Sequence, residues 1–119
     1  MALVHYTATT VSSGGTSRTI VNGSSSETVY VTGLFTVASG GEMLVMGTRI
    51  NGGATGGELH IVNVDSASQI KNNMVFSVEA NDIISLDSKE CYTAGEGLEI
   101  YATQPGITVD IFAHSSTVS

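Results

Sequence analysis

The sequence predicts an all-β fold, a jelly-roll-like antiparallel β-sandwich that forms a single domain. Apolar residues occupy every second position near the C-terminal end of the chain, at Ile107, Val109, Ile111 and Ala113. Period-two alternation of this length indicates half-buried β-strands. The chain contains 14 glycines and one proline. Glycine turns about every ten residues between short strands are typical of a sandwich, jelly roll or small barrel.

Composition and charge narrow the class of protein further. The chain has 119 residues, no tryptophan and a formal charge of −7, with four basic and 11 acidic side chains. An acidic surface repels phosphate backbones, so we expect no nucleic-acid partner. The first ten residues lack the pattern of a signal peptide, and no stretch approaches the roughly 20 apolar residues of a membrane-spanning helix. We therefore expect a soluble protein without a membrane partner.

Alternation predicts nine or ten strands in chain order. The segment Val75–Ala113 reads as four strands joined by three turns, and we take it as the scaffold of the fold. Pro105 presets φ for a tight turn, and Gly106 is expected to accept the positive φ that follows. The strands predicted before and into this segment are Leu3–Thr9, Arg18–Asn22, Thr28–Val37, Glu42–Ile50, Glu58–Val64 and Ile70–Val78.

Two predicted strands are apolar on both faces, which a monomeric sandwich does not need. In Thr28–Val37, the odd-numbered positions are expected to share one face, and Gly33 can mark a β-bulge. In Glu42–Ile50, we place Leu44, Met46 and Ile50 opposite Met43 and Val45. Either sheet curvature and covering loops explain the surplus, or a subunit interface does. The candidate interface residues are Leu3, Val4, Tyr6, Tyr30, Leu34, Met43, Val45, Tyr101 and Phe112.

The N-terminal segment is predicted as a strand followed by a flexible link. We assign residues 1–16 to this strand or arm, and residues 17–119 to the sandwich. In one alternative, Leu3–Thr9 is an edge strand of its own sandwich, since sequential strands usually pair locally. In the other, the glycine-rich link lets the strand leave and add to a sheet edge on a neighbour.

No residue is predicted to be catalytic. The segment Gly52–Gly57, called here the glycine loop, lacks the lysine of a phosphate-binding motif and reads as a hairpin loop. The histidines His5, His60 and His114 belong to different predicted strands, and none has a catalytic motif around it. Cys91 is expected to be a buried, inert thiol, because free cysteines are usually buried.

No metal or cofactor is predicted either. Glu79, Asp82, Asp87 and Glu90 cluster in the sequence, and oxygen ligands of this kind can bind Ca²⁺. Their spacing does not match an EF-hand loop, so we expect solvated turn residues. We conclude that the chain is not an enzyme.

Several strand and turn motifs resemble those of a known family. The segments are Thr93–Ile100 (TAGEGLEI) and Glu79–Ile84 (EANDII), preceded by the strand run 25–52. Their order resembles small tailed-bacteriophage virion proteins with a jelly-roll-like sandwich, over roughly residues 17–114. In this family glycine is commoner where Asn81 stands. The resemblance carries over no catalytic residues.

The resemblance implies a structural virion protein. It points to a capsid decoration (cement) protein that binds and stabilises the shell as a homotrimer. The major capsid protein would be its partner, and the capsid surface of the virion its location after assembly in the host cytoplasm. The alternative is a receptor- or carbohydrate-binding β-sandwich module of a phage tail or fibre. The absence of tryptophan favours the first reading, since glycan sites commonly use a tryptophan platform.

Overall fold

The computed structural model describes residues 2–67, 69–87 and 89–117. These residues form ten β-strands and no helix, which confirms the predicted all-β class. The strands are β1 (Ala2–Thr9), β2 (Thr16–Asn22), β3 (Ser25–Thr36), β4 (Gly41–Asn51), β5 (Gly57–Val64), β6 (Ile70–Val78), β7 (Ile83–Leu86), β8 (Glu90–Thr93), β9 (Gly97–Ala102) and β10 (Thr108–Thr117).

The strands build two antiparallel sheets. Sheet 1 has the order β1-β10-β4, and β7 and β8 pair with successive parts of the free side of β4. Sheet 2 has the order β2-β3-β9-β5-β6. β7 and β8 can be counted as one interrupted strand, and β2 can be set aside as an addition that forms a hairpin with β3. Eight strands then remain. Their alternation between the two sheets is that of a jelly roll, as predicted.

The core lies between the inner faces of the two sheets. The alternation predicted over residues 107–113 is confirmed, because Ile107, Val109, Ile111 and Ala113 are buried and Phe112 is partly exposed on the opposite face. The turn before β10 is confirmed as well, since Gly106 has a φ of 93°. The largest fully buried side chains in this core are Ile50, Leu59, Ile61, Leu98, Ile100, Ile107, Val109 and Ile111.

A β-bulge in β4 explains why that strand is apolar on both faces. Phe112 lies opposite Gly47 and Ala113 lies opposite Val45, so Met46 is an extra residue without a partner in β10. A bulge of one residue reverses the alternation of every position that follows it. The inward positions are therefore odd-numbered before Met46 and even-numbered after it. The predicted assignment of β4 residues to two fixed faces was wrong for this reason.

A second bulge has the same effect in β3. The pairing with β9 shifts between Gly33 and Phe35, which leaves Leu34 as the extra residue and confirms the bulge expected at this glycine. Val31 packs on the outer face of sheet 2, whereas Phe35 belongs to the central core. The prediction of one shared face for the odd-numbered positions of β3 was therefore wrong.

The hairpin β2–β3 covers the outer face of sheet 2. Ile20 and Val29 from the hairpin pack against a second apolar cluster that contains Val62, Val64 and Tyr101. The turn between the two strands is tight, since β2 ends at residue 22 and β3 begins at residue 25, three residues before the predicted start at Thr28. This cover accounts for much of the apolar surplus in sheet 2.

A bidentate ion pair fastens the hairpin to the sheet. Arg18 Nε donates to Glu99 Oε1 at 2.5 Å, and Arg18 Nη2 donates to Glu99 Oε2 at 2.7 Å. The two side chains are only 19% and 18% exposed. The hydrogen bond to the Glu99 carboxylate raises the pKa of Arg18, so the guanidinium stays charged. Two parallel hydrogen bonds between a guanidinium and a carboxylate are stronger than a single hydrogen bond.

Replacement of Arg18 by methionine is therefore expected to loosen the hairpin. We expect a loss of about 2 kcal/mol in the free energy of unfolding, because a charged hydrogen-bond partner is removed from a half-buried carboxylate. Hydrogen exchange should accelerate first in β2. Arg49→Met is the matched control, since the Arg49 side chain is 53% exposed and lies 3.7 Å from Asp110. Equal losses in the two variants would contradict the role given to Arg18.

Candidate docking surface

The outer face of sheet 1 is exposed, unlike that of sheet 2. Pairing registers align its outward side chains in rows across β1, β10, β4 and β8. Leu3 is 74% exposed and Phe112 is 37% exposed, while their inward neighbours Val45 and Ala113 are buried. We call this surface the open face, and we define it by Leu3, His5, Leu44, Cys91, Phe112 and His114.

Phe112 is the centre of an ordered cluster on the open face. The His5 ring stacks on the Phe112 ring, with centroids 4.8 Å apart and planes within 9°. The Arg49 guanidinium carbon lies 5.9 Å from the Phe112 centroid, a cation–π distance. Asp110 joins both neighbours, because Oδ1 is 2.9 Å from His5 Nε2 and Oδ2 is 3.7 Å from Arg49 Nη2. The cluster therefore presents a pre-positioned aromatic ring to solvent.

The charges within this cluster balance each other although the chain is strongly acidic. Arg49 and Asp110 are the charged members, and they are paired. The cores of protein–protein interfaces are depleted in charge and enriched in aromatic residues and arginine. The composition of the open face therefore suits contact with another protein surface.

Five of the nine predicted interface residues separate into three groups. Leu3 and Phe112 lie on the open face, and Tyr30 is 36% exposed on the hairpin. Val4 and Tyr6 alternate with the exposed residues of β1, point inward and pack against the central core. The structure thus brings two of the predicted residues together on one surface.

Four candidate interface residues were wrongly taken as surplus to the core. Leu34, Met43 and Val45 belong to the central core, and Tyr101 belongs to the cluster under the hairpin. All four are buried in the folded chain, so they offer no surface to a partner. The bulges in β3 and β4 and the covering hairpin produced the apparent excess.

The prediction of a buried Cys91 was also wrong. Cys91 is exposed, because it pairs with Leu44 and points to the same outer side. The inward residue of β8 is its neighbour Tyr92, which is 3% exposed. Burial raises the pKa of Tyr92, and its hydroxyl donates a hydrogen bond to Glu90.

Besides Cys91, two histidines and a leucine lie on the open face although the sequence did not indicate them. His114 lies opposite both Leu3 and Leu44, and His5 lies opposite Phe112 on the next row. Two histidines that are distant in the sequence thus share one face, while His60 lies in sheet 2. The arrangement follows from the pairing of β1 with β10, which lie at opposite ends of the described chain, so no pattern within one strand could have indicated it.

His60 takes part in a separate polar cluster on sheet 2. Its ring stacks on Tyr101, with centroids 4.4 Å apart. Its Nε2 lies 2.8 Å from Glu58 Oε1 and its Nδ1 lies 3.0 Å from Asn73 Oδ1. These groups and Glu27 line a cleft of about 550 Å³ beside the hairpin. The cluster offers carboxylate, amide and imidazole groups beside a stacked aromatic ring.

The glycine loop is a packed turn. A Cβ placed on Gly52 would lie 2.1 Å from the Glu79 carbonyl oxygen, and one on Gly53 would lie 2.4 Å from the Gly106 oxygen. Asn81 N–H donates to the Gly53 oxygen at 2.7 Å. The glycines are therefore required by the close approach of neighbouring backbone. The loop joins β4 of sheet 1 to β5 of sheet 2, so the prediction of a hairpin loop was wrong.

Turn chemistry also explains the residues that carry the family resemblance. The Glu96 carboxylate accepts hydrogen bonds from the Thr93 N–H and hydroxyl, and from Lys71 Nζ at 2.7 Å. Asn81, in the other motif, has a φ of 63°, a conformation that glycine adopts more readily. Both motifs therefore shape turns at the ends of strands.

The Glu96 contacts predict a specific pH dependence. The hydrogen bond from Lys71, followed by those from Thr93, lowers the pKa of Glu96 to about 2. A depressed carboxylate pKa adds stability above its unfolded value near 4.3, and this stability is lost as the pH falls towards 2. We expect Glu96→Gln to be less stable than the native chain at pH 7, with the difference closing between about pH 5 and pH 2.

Urea unfolding at a series of pH values measures this difference. Lys71→Met removes the largest cause of the shift, so its deficit should close in the same direction as the pH falls. A deficit of Glu96→Gln that stays constant from pH 7 to pH 2 would contradict the assignment.

In residues 2–67, 69–87 and 89–117, no three acidic, histidine or cysteine side chains come together as a potential metal site. The described part of the chain contains no apolar helix of the length that a membrane crossing requires. A scan against protein-family models and searches of curated proteins and of solved structures found no match to this chain.

Proposed function

We propose that the chain is a structural virion protein of a tailed phage, a capsid decoration protein that binds and stabilises the shell. In this proposal it assembles as a homotrimer, contacts the major capsid protein through its open face and performs no catalysis. Jelly rolls recur in viral capsid proteins, and the strand and turn motifs resemble those of small phage virion proteins. Because one fold hosts many functions, the fold by itself does not carry the proposal.

The open face is the observation that carries it. One outer sheet surface is covered by a hairpin, whereas the other presents Leu3 and a Phe112 ring held between His5 and Arg49. Exposed apolar groups with a polar surround mark sites of protein contact. A broad sheet face of this kind suits attachment to a shell.

The number of copies per particle tests the proposal. Quantitative mass spectrometry of purified virions should find the chain in numbers comparable with the major capsid protein. A few copies per particle would assign it to a tail or fibre instead. Its absence from the virion would contradict any structural role.

Substitution of the open face is expected to release the protein from the shell. We expect the double variant Leu3→Ser, Phe112→Ser to bind capsids more than about tenfold more weakly, because aromatic anchors dominate interface energies. Its thermal unfolding should change little, since both side chains are exposed. Val75→Ser on β6, where Val75 is 53% exposed, is the matched control. Unchanged binding of the double variant would exclude this face.

The cleft beside His60 supports a second candidate, a carbohydrate-binding module of a tail or fibre. Sugar hydroxyls are recognised by carboxylate and amide groups like those of Glu58 and Asn73, next to an aromatic ring. A glycan array followed by titration of Glu58→Gln tests this reading. Binding that depends on Glu58 would support it over shell attachment.

A further inference from the structure

The backbone of β1 has a free hydrogen-bonding side. Thr10 N–H donates to the Ile107 oxygen at 2.8 Å, which directs this residue towards the segment that leads into β10. Backbone groups of an antiparallel strand alternate in direction, so the even-numbered residues of β1 face β10. The N–H and C=O groups of Leu3, His5 and Thr7 therefore point away from β10, towards the free edge of sheet 1. Their side chains lie on the open-face side.

The β1 edge lacks the features that protect sheet edges from pairing. It pairs with β10 over eight residues without a register shift, and Ala2–Thr9 contains no proline and no lysine, arginine or carboxylate. Two of the other edges are protected. β6 contains Lys71 at a register shift, and β7 and β8 have four residues each. Charge, bulges and short length are the means by which proteins block edge pairing.

We propose that the β1 edge pairs with β1 of a second copy of this chain, antiparallel about a two-fold axis at His5. In this register Leu3 lies opposite Thr7 and His5 lies opposite its own copy. All three residues with outward backbone groups then meet one another, which gives six hydrogen bonds between the strands. The side chains of Leu3, His5 and Thr7 from both copies also lie on the same side of the joined sheet. The outer faces of the two sheets therefore remain continuous.

Charge favours a second copy at this edge. The chain carries a net charge of −7, so most surfaces of two copies repel each other. β1 contains no carboxylate, and the Asp110 behind it is paired with His5 and Arg49. The pairing joins the two open faces into one wider surface. It is two-fold and links one chain to one other, so it is separate from the threefold assembly proposed above.

Single cysteines in a Cys91→Ser background test the register, because the exposed Cys91 would otherwise react. Directly opposed residues have Cα atoms about 5.5 Å apart, within the range of a disulfide. We expect His5→Cys to give a covalent dimer on mild oxidation. Leu3→Cys and Thr7→Cys should each oxidise more than about tenfold more slowly, since their own copies lie four residues away, about 13 Å. The double variant Leu3→Cys, Thr7→Cys should cross-link again.

Proline at position 7 separates pairing from folding. The Thr7 N–H faces the free edge, so Thr7→Pro removes no hydrogen bond to β10. In the His5→Cys, Cys91→Ser background, Thr7→Pro should abolish the dimer and leave the thermal midpoint within a few degrees. Thr7→Val should retain it. Leu3→Lys, which adds a charge to an exposed position, gives a second way to block pairing without touching the core.

Three results would overturn the proposal. One is a failure of the folded His5→Cys variant to cross-link, and another is equal oxidation of the single-cysteine variants at positions 3, 5 and 7. The third is cross-linking of the His5→Cys variant to a different protein in assembled particles, which would assign the edge to a strand of that partner. Because these experiments use the isolated chain first, they succeed or fail independently of the virion role.

Discussion

Gly56→Ala is expected to destabilise the protein by about 3 kcal/mol, the sum of a strained backbone and a steric overlap. Gly56 has a φ of 66°, which side chains with a Cβ rarely adopt. An added Cβ would also lie 2.5 Å from the Val78 oxygen and 2.7 Å from the Ala80 nitrogen. Both neighbours are backbone atoms at the end of β6, so they cannot move aside without breaking the turn. Urea unfolding of the variant measures the loss.

Gly14→Ala is the matched control for this effect. Gly14 has a φ of 85°, but no atom lies within 4 Å of an added Cβ. Only the backbone cost of about 1 kcal/mol should remain. If the two variants lost equal stability, the close packing of the glycine loop would not be responsible.

Ile100→Ala is expected to cost about 4 kcal/mol, which is a large part of the stability of a domain of this size. Ile100 lies on the central strand β9, has no exposed surface and faces the inner sandwich between Thr32 and Ile61 in register. Its removal leaves a cavity that rigid neighbouring strands fill only in part. The midpoint of urea unfolding should fall without a change in slope.

Ile83→Ala provides a control of identical chemistry. Ile83 lies on β7 and is 63% exposed, so its truncation should change stability by less than about 0.5 kcal/mol. A comparable loss in the two variants would mean that β9 is not the centre of the core. The comparison thus tests the assignment of inner and outer faces on which the open face depends.

Features that depend on neighbouring residues alone could be predicted. Alternation over residues 107–113 placed Ile107, Val109 and Ile111 in the core, because a strand directs successive side chains to opposite faces. The positive φ of Gly106 followed from the chemistry of the turn that contains it. The strand Ile70–Val78 was predicted with its observed bounds.

Gly33 indicated one bulge, but the bulge in β4 and the burial of sheet 2 under the hairpin could not be predicted, because each involves two distant segments. The extra residues Leu34 and Met46 are defined only against β9 and β10, and each reverses the faces of the positions that follow. Tyr101 alternates outward from the core, yet it is buried because the hairpin folds over it. Alternation within one strand carries no information about either event.

The sequence by itself determined the all-β class, the main turns and the inward positions of the regular strands, since these follow from local backbone chemistry. It also indicated Leu3 and Phe112 as surface candidates. Only the tertiary structure placed them on one face, because β1 pairs with β10 from the other end of the chain and brings His5 onto Phe112. In the described part of the chain, the same long-range pairing left the second hydrogen-bonding edge of β1 without a partner strand, and that is a property of the sheet rather than of any residue in it.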